Sequence, residues 1–97
     1  MEYIKILNQQ EKRKIEKKLK AVANIRRLGI IKCLKTEKRA AVGQIAHIIK
    51  LSFRSTSKHL AILKAADIVE SSQQGFQAIY TLKADQHPLV KNVRDFI

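Results

Sequence analysis

Leu51-Ser52-Phe53-Arg54-Ser55-Thr56-Ser57-Lys58-His59-Leu60-Ala61-Ile62-Leu63-Lys64-Ala65-Ala66 is the stretch on which the fold turns. Ser52 is a helix-capping residue type placed just before a periodic run, and Thr56, Leu60 and Leu63 recur at the spacing of one helix face. The pattern predicts a helix over Phe53–Ala66 with those three inward. Immediately upstream, Ala41–Ile49 puts Val42, Ile45, Ala46 and Ile49 on one face of another short helix. Only Lys50 and Leu51 separate the two runs, and helices joined by so tight a turn form a helix-turn-helix unit, here residues 41–66.

The period changes downstream. Ile68-Val69-Glu70-Ser71-Ser72 and Phe76-Gln77-Ala78-Ile79-Tyr80-Thr81-Leu82 read as two short strands, with Gln73-Gln74-Gly75 as the turn between them. A hairpin after a helix-turn-helix is a wing, residues 67–82. Upstream, residues 3–20 are rich in helix formers and lack Gly and Pro; Leu7, Glu11, Ile15 and Leu19 fall at i, i+4 spacing, with Ile4 and Val22 beside them. Val22, Ala23, Ile25, Leu28, Ile31 and Leu34 mark a second helix over 22–35, inside which Gly29 suggests close helix packing. Lys35-Thr36-Glu37-Lys38-Arg39 reads as a loop. Pro88 suits the first position of a final helix, where Leu89, Val90, Val93, Phe96 and Ile97 form one broad apolar stripe. A small domain seldom leaves such a stripe facing water, so a partner helix is expected there. The predicted fold is mainly α with a small β-hairpin wing, a winged helix-turn-helix in the order ααααββα, as a single domain over 1–97.

Charge narrows the partner. The chain carries 20 Lys+Arg against 8 Asp+Glu, a net +12. Residues 1–39 hold 13 basic and 4 acidic side chains, a net of +9, densest in Lys12-Arg13-Lys14-Ile15-Glu16-Lys17-Lys18-Leu19-Lys20. Such a balance favours a polyanion, either nucleic acid or an anionic membrane surface. The membrane reading is the weaker one, because the stripe of residues 3–20 is narrow and lacks Trp or Phe. No apolar run approaches the ~18 residues of a membrane span and no basic-then-apolar leader is seen, so a soluble, cytoplasmic protein is expected. Paired carboxylates and Gly-rich phosphate loops are missing, which argues against an enzyme. No cofactor is expected.

At this point the sequence resembles the ArsR/SmtB family of winged helix-turn-helix repressors. Val22-Ala23-Asn24-Ile25-Arg26-Arg27-Leu28-Gly29-Ile30-Ile31 is similar to the family's A-N-P-x-R-L-x-I-L helix, with Ile25 in place of the usual proline. Leu51 to Leu63 is similar to its L-S-x-S-T-V-S-R-H-L-x-x-L recognition helix, and Ala65-Ala66-Asp67-Ile68-Val69 to the A-G-L-V that begins the wing. The resemblance implies transcription regulation by binding double-stranded DNA, and a homodimer formed by the first helix (Ile4, Leu7, Ile15, Leu19) and the last (Leu89, Val90, Val93, Phe96, Ile97).

The residues themselves support DNA as the partner. With Thr56, Leu60 and Leu63 inward, the outward face offers Arg54, Ser57, Lys58 and Ala61, flanked by Ser52 and Ser55 near the helix N-terminus, where the dipole favours phosphate. Arg54 is the candidate base reader, since Arg binds guanine bidentately. Phe53 either extends the apolar stripe or touches a thymine methyl; His59 either packs beside the turn or contacts a phosphate. Family wings carry arginines, whereas Gln73, Gln74 and Gln77 make a polar, neutral one that can still bond phosphates or base edges. A winged-helix adaptor or a sequence-blind basic DNA-coating protein is the alternative function.

Metal sensing, a known activity of the resembled family, finds little support. The cysteine-rich helix site would fall near Val42 to His47, where there is no cysteine. Asp85-Gln86-His87 matches half of the other family site, its completion lying at or beyond Ile97, and zinc needs about four ligands. Capping of the last helix by Asp85 or His87 is the simpler reading, and no metal is expected. Cys33, the single cysteine, excludes an internal disulfide and reads as a small buried hydrophobe. His47 reads as a packed or half-exposed helix histidine.

Overall fold

Asn8 caps the first helix by accepting the Glu11 backbone N–H on its side-chain oxygen at 2.8 Å. The structure, a computed structural model, describes residues 8–97; Ile4 and Leu7, and the part of the expected first helix that holds them, lie outside the described residues. Helix α1 spans Gln9–Val22. It ends later than the apolar spacing predicts, and α2 begins later, at Ile25, and runs to Glu37. The reason is Asn24, whose side-chain oxygen accepts from the Arg26 and Arg27 N–H groups at 3.0 and 3.1 Å, so Val22 and Ala23 belong to the end of α1 rather than to α2.

The stretch read as a loop is partly structure. Lys38 stops α2 at positive φ (73°), and Arg39–Ala41 then form strand β1. Three residues carry no readable alternation; their strand character comes from pairing with Ile79–Thr81, some forty residues away, in the register Arg39↔Thr81 and Ala41↔Ile79. The order is therefore ααβααββα. Gln44 then accepts the Ala41 N–H at 2.9 Å and starts α3, Val42–Ile49. Lys50 takes the left-handed conformation (φ 57°), which lets Leu51 N–H reach Ala46 C=O at 3.0 Å and turns the chain into α4, Phe53–Ala65.

The core gathers under α4. Thr56, Leu60 and Leu63 are wholly buried, and the two leucines join Ile30, Ile31 and Leu34 of α2, Ile45 of α3 and Ile68 in one apolar cluster. Each aliphatic side chain so buried contributes about 1.5–3 kcal/mol by transfer from water. Thr56 is the single buried polar residue among those described; its hydroxyl donates to Ser52 C=O at 2.8 Å, so it costs little there. Gly29 faces Ile49, and a Cβ built on it would sit 3.7 Å from Ile49 Cγ2, an ordinary contact. Close packing therefore does not demand this glycine, contrary to the expectation from its place inside a helix.

Strands β2 (Val69–Gln74) and β3 (Gln77–Leu82) make the wing, and the sheet order is β1-β3-β2, antiparallel throughout. Gln73 and Gln74 are not turn residues: they continue β2, and the register closes at Gln74↔Gln77 around Gly75-Phe76. Gly75 takes φ 64°, the positive value that a tight hairpin loop needs and glycine supplies at no steric cost. Lys64 Nζ donates to Ser71 Oγ at 2.8 Å, tying the end of α4 to the wing. Gln86 donates to Ile68 and Lys83 carbonyls at 2.7 and 2.8 Å and fixes the approach to α5, Pro88–Phe96. Pro88 occupies the first turn, and His87 Nδ1 accepts the Leu89 N–H at 3.2 Å as the cap. The terminal stripe divides: Val90 is buried in the core and Val93 and Ile97 pack against it, whereas Leu89 and Phe96 face outward.

Candidate nucleic-acid interface

Helix α4 lies across the core on its Thr56–Leu60–Leu63 face, which leaves the opposite face to solvent. Ser52 accepts the Ser55 N–H on its hydroxyl at 3.1 Å and fixes the helix start. From that start Arg54 and Lys58 project outward, exposed, and among the described residues neither enters a hydrogen bond or ion pair. Ser55 and Ser57 are half-buried on either side of them. Phe53 resolves its two readings in favour of the surface: it is 62% exposed and so does not extend the core stripe. The result is a convex helix whose free donors all stand on one side.

One flank of α4 borders the wing. Phe53 and Ser57 face Gln73, Phe76, Gln77 and Tyr80 across an open recess of about 550 Å³. Gln74 and Gln77 are exposed, while Gln73 is partly spent in its own loop, its amide donating to Gly75 C=O at 3.1 Å. The other flank holds His59, half-buried, with Arg27 Nη1 3.1 Å from its Nδ1. Arg27 also donates to Ala21 C=O at 2.6 Å and to Lys20 C=O at 3.2 Å, so one guanidinium joins the last turn of α1 to α4. Burial first, then the charges of Arg27 and Arg26, push the His59 pKa down. An arginine can only donate, so the neutral ring accepts at Nδ1 and carries its proton on Nε2.

Beyond α4 the surface is basic. Lys12, Arg13, Lys14, Lys17 and Lys20 are exposed along α1, with Lys20 3.8 Å from Glu16, while Lys18 reaches across to Ala66 C=O at 2.7 Å. A mainly apolar groove of about 650 Å³ lies between α2 and α3, lined by Ile25, Gly29, Cys33, Ile48, Ile49 and Leu51 together with Arg26, Lys32, Thr36 and Glu37. Burial, then Glu37, pushes the Cys33 thiol pKa up, which fits an inert packed cysteine. Among the described residues no three His, Cys, Asp or Glu side chains cluster as metal ligands, and no helix is long and apolar enough to cross a membrane. His87 is engaged as the α5 cap.

Sequence reasoning singled out the donors on α4 but missed Arg27 and Phe76. Arg27 stands beside Asn24 in a helix with no visible link to residue 59, and nothing local signals their meeting. The sequence pattern puts Phe76 in a strand; its place directly after Gly75 is the signal that it belongs to the loop.

Residues 25–71 match the model of the arsR family of bacterial regulatory proteins. The transcriptional activator HlyU of Vibrio cholerae is 34% identical over 68 residues, which cover 70% of this chain and 62% of that protein, so the match spans under two thirds of that relative. The structure of the regulator HlyU from Vibrio vulnificus superposes with a TM-score of 0.71 at 32% identity, covering 91% of this chain and 88% of that one. The transcriptional repressor PagR of Bacillus anthracis superposes with a TM-score of 0.75 at 25% identity, covering 92% of this chain and 98% of its own. On fold, identity and coverage together, the chain belongs to the arsR family of bacterial regulatory proteins.

Proposed function

We propose that this protein is a sequence-specific, double-stranded DNA-binding transcription regulator that works in the cytoplasm as a homodimeric repressor. The observation that carries the reading is the outward face of α4, where Arg54 and Lys58 stand exposed and unpaired beside a Ser52-capped helix start. Helix α4 has 13 residues and is therefore about 20 Å long, a length that a major groove accommodates. In this reading Arg54, exposed at the N-terminal end, reads a base edge. Lys58, one turn on, and the helix dipole hold phosphates. The basic α1 adds long-range attraction without base preference.

Leu89 and Phe96, the outward part of the terminal stripe, with Ile15 and Leu19 of α1, supply the apolar surface for a second subunit. Ile15 is half-buried, Leu19 is exposed, and Phe96 is 92% exposed. Two-fold symmetry then presents two copies of α4 to half-sites ~34 Å apart.

Selection of bound duplexes from a random pool, followed by a salt titration, tests the reading. For ~6–10 phosphate contacts, affinity falls about 10³–10⁵-fold between ~50 and ~200 mM salt. A flat response, or no duplex binding at the lower salt, rejects it. Binding without any enriched sequence supports a DNA-coating role instead.

A further inference from the structure

We propose that Phe76, at the apex of the wing, is an apolar wedge that enters the minor groove next to the helix-bound major groove and kinks the duplex at a pyrimidine–purine step. The inference rests on the DNA-binding reading above and names how the operator is shaped and which base step it must contain.

Phe76 is fully exposed, the most exposed large apolar side chain among the described residues. It occupies the second position of the Gly75-Phe76 loop and shares its recess with Phe53, so ring and recognition helix border one concavity. The wing around it has no cation: from Val69 to Leu82 the charged residue is Glu70 alone. An arginine held in a narrowed minor groove is therefore not this wing's means of contact, and the apex offers a ring flanked by glutamines. Aromatic and aliphatic side chains enter minor grooves by parting two base pairs, at a cost that depends on the step. Steps such as TA and CA unstack most readily, so a wedge selects them at a position no hydrogen bond reads.

The reach fits. Strand β2 has six residues, about 20 Å of extended chain, rooted at Val69 in the core. Half a helical turn, the step from a major-groove contact to the adjoining minor groove, is about 17 Å. The recess between Phe53 and Ser57 on one wall and Gln73 and Gln77 on the other then takes the sugar-phosphate strand that separates the two grooves. Gln77 is free to bond it.

The test uses the full chain on pool-selected duplexes, with 2-aminopurine at the step under the wing and circularly permuted fragments to read bending. Wild type is expected to raise the 2-aminopurine fluorescence and bend the duplex; Phe76→Leu keeps most of both. Phe76→Ala is expected to lose both signals and about 5- to 150-fold in affinity, the worth of one base–aromatic contact. Changing the step to GC should weaken wild type and leave Phe76→Ala unaffected. The ring touches no core residue, so melting temperatures should coincide. Wild type that binds and Phe76→Ala that binds with equal affinity and equal bending overturn the wedge while leaving DNA binding intact. A loss of affinity with bending and fluorescence preserved, or a change in sedimentation in place of either signal, overturns it too. Wild type that binds no duplex overturns the DNA reading and the wedge with it.

Discussion

Arg27 and His59 meet across two helices that are 32 positions apart in sequence: Nη1 of Arg27 donates to Nδ1 of His59 at 3.1 Å. The same guanidinium holds the Ala21 and Lys20 carbonyls at the end of α1. Both residues sit in the two motifs by which the sequence resembles its family, and the contact gives each a structural reason. His59 orients Arg27, and Arg27 fixes the tautomer that leaves Nε2–H pointing away from it.

Arg27→Ala strands two carbonyls and the ring nitrogen, partly screened by solvent, and is expected to cost about 1–3 kcal/mol of stability. A double-mutant cycle with His59→Ala should show a coupling of about 0.5–1.5 kcal/mol in urea unfolding. Additivity of the two substitutions would show that the pair does not cooperate.

His59 also makes stability depend on pH. Its pKa is lowered in the fold by burial and by Arg27 and Arg26, so below the unfolded value of about 6.5 the unfolded chain binds more protons than the folded one. The stabilising contribution is complete above that value and is lost as pH falls toward the folded pKa. Melts of wild type and His59→Gln from pH 8 to 5 should run parallel at the top and diverge below about 6.5, with wild type losing more. Parallel curves throughout contradict the assignment.

Arg54 and Lys58 project from the same face, but their expected roles differ. Arg54→Ala should cost about 1–3 kcal/mol on the preferred duplex and relax preference at one base position. Lys58→Ala should weaken all duplexes about equally and reduce the salt slope by about one. An unchanged sequence preference in Arg54→Ala would place the base-reading surface elsewhere.

The terminal stripe separates folding from association. Val93 is partly buried and packs against the core, so Val93→Asp should destabilise the subunit itself, by about 1–3 kcal/mol for a polar group placed at an apolar, half-buried position. Phe96 is exposed, so Phe96→Asp should leave melting of the subunit core intact and shift sedimentation toward monomer. Wild type that sediments as a monomer at micromolar concentration rejects the dimer; Phe96→Asp that remains dimeric moves the interface off α5.

Gly29→Ala is expected to stabilise the protein by about 0.4–1 kcal/mol, because α2 gains helix propensity and the new methyl meets Ile49 at ordinary contact distance. Chemical denaturation measures it directly. A loss of stability would mean that α2 and α3 approach more closely than the 3.7 Å separation indicates.

The helices of this protein were legible in the sequence because their determinants are local. Ser52 before Phe53, the Thr56–Leu60–Leu63 spacing, and Pro88 at a helix start each act within a turn or two of chain, and all three stand in the structure as read. The outward set on α4 followed at once, since naming the buried face of a helix names the exposed one. The hairpin was legible as a hairpin, though the loop proved to be Gly75-Phe76 and not Gln73 to Gly75.

What tertiary structure alone decided is everything that depends on distant partners. Arg39–Ala41 became a strand because β3 arrives beside it. Val90, Val93 and Ile97 turned inward while Leu89 and Phe96 stayed outward, since α5 docks on α1 and α2 along only part of its apolar stripe. Arg27, in the first turn of α2, reached His59, in the middle of α4, because the two helices pack against each other. Periodicity states which side chains share a face. It does not state what lies opposite that face, because the position of a neighbouring element is settled by the packing of the whole core.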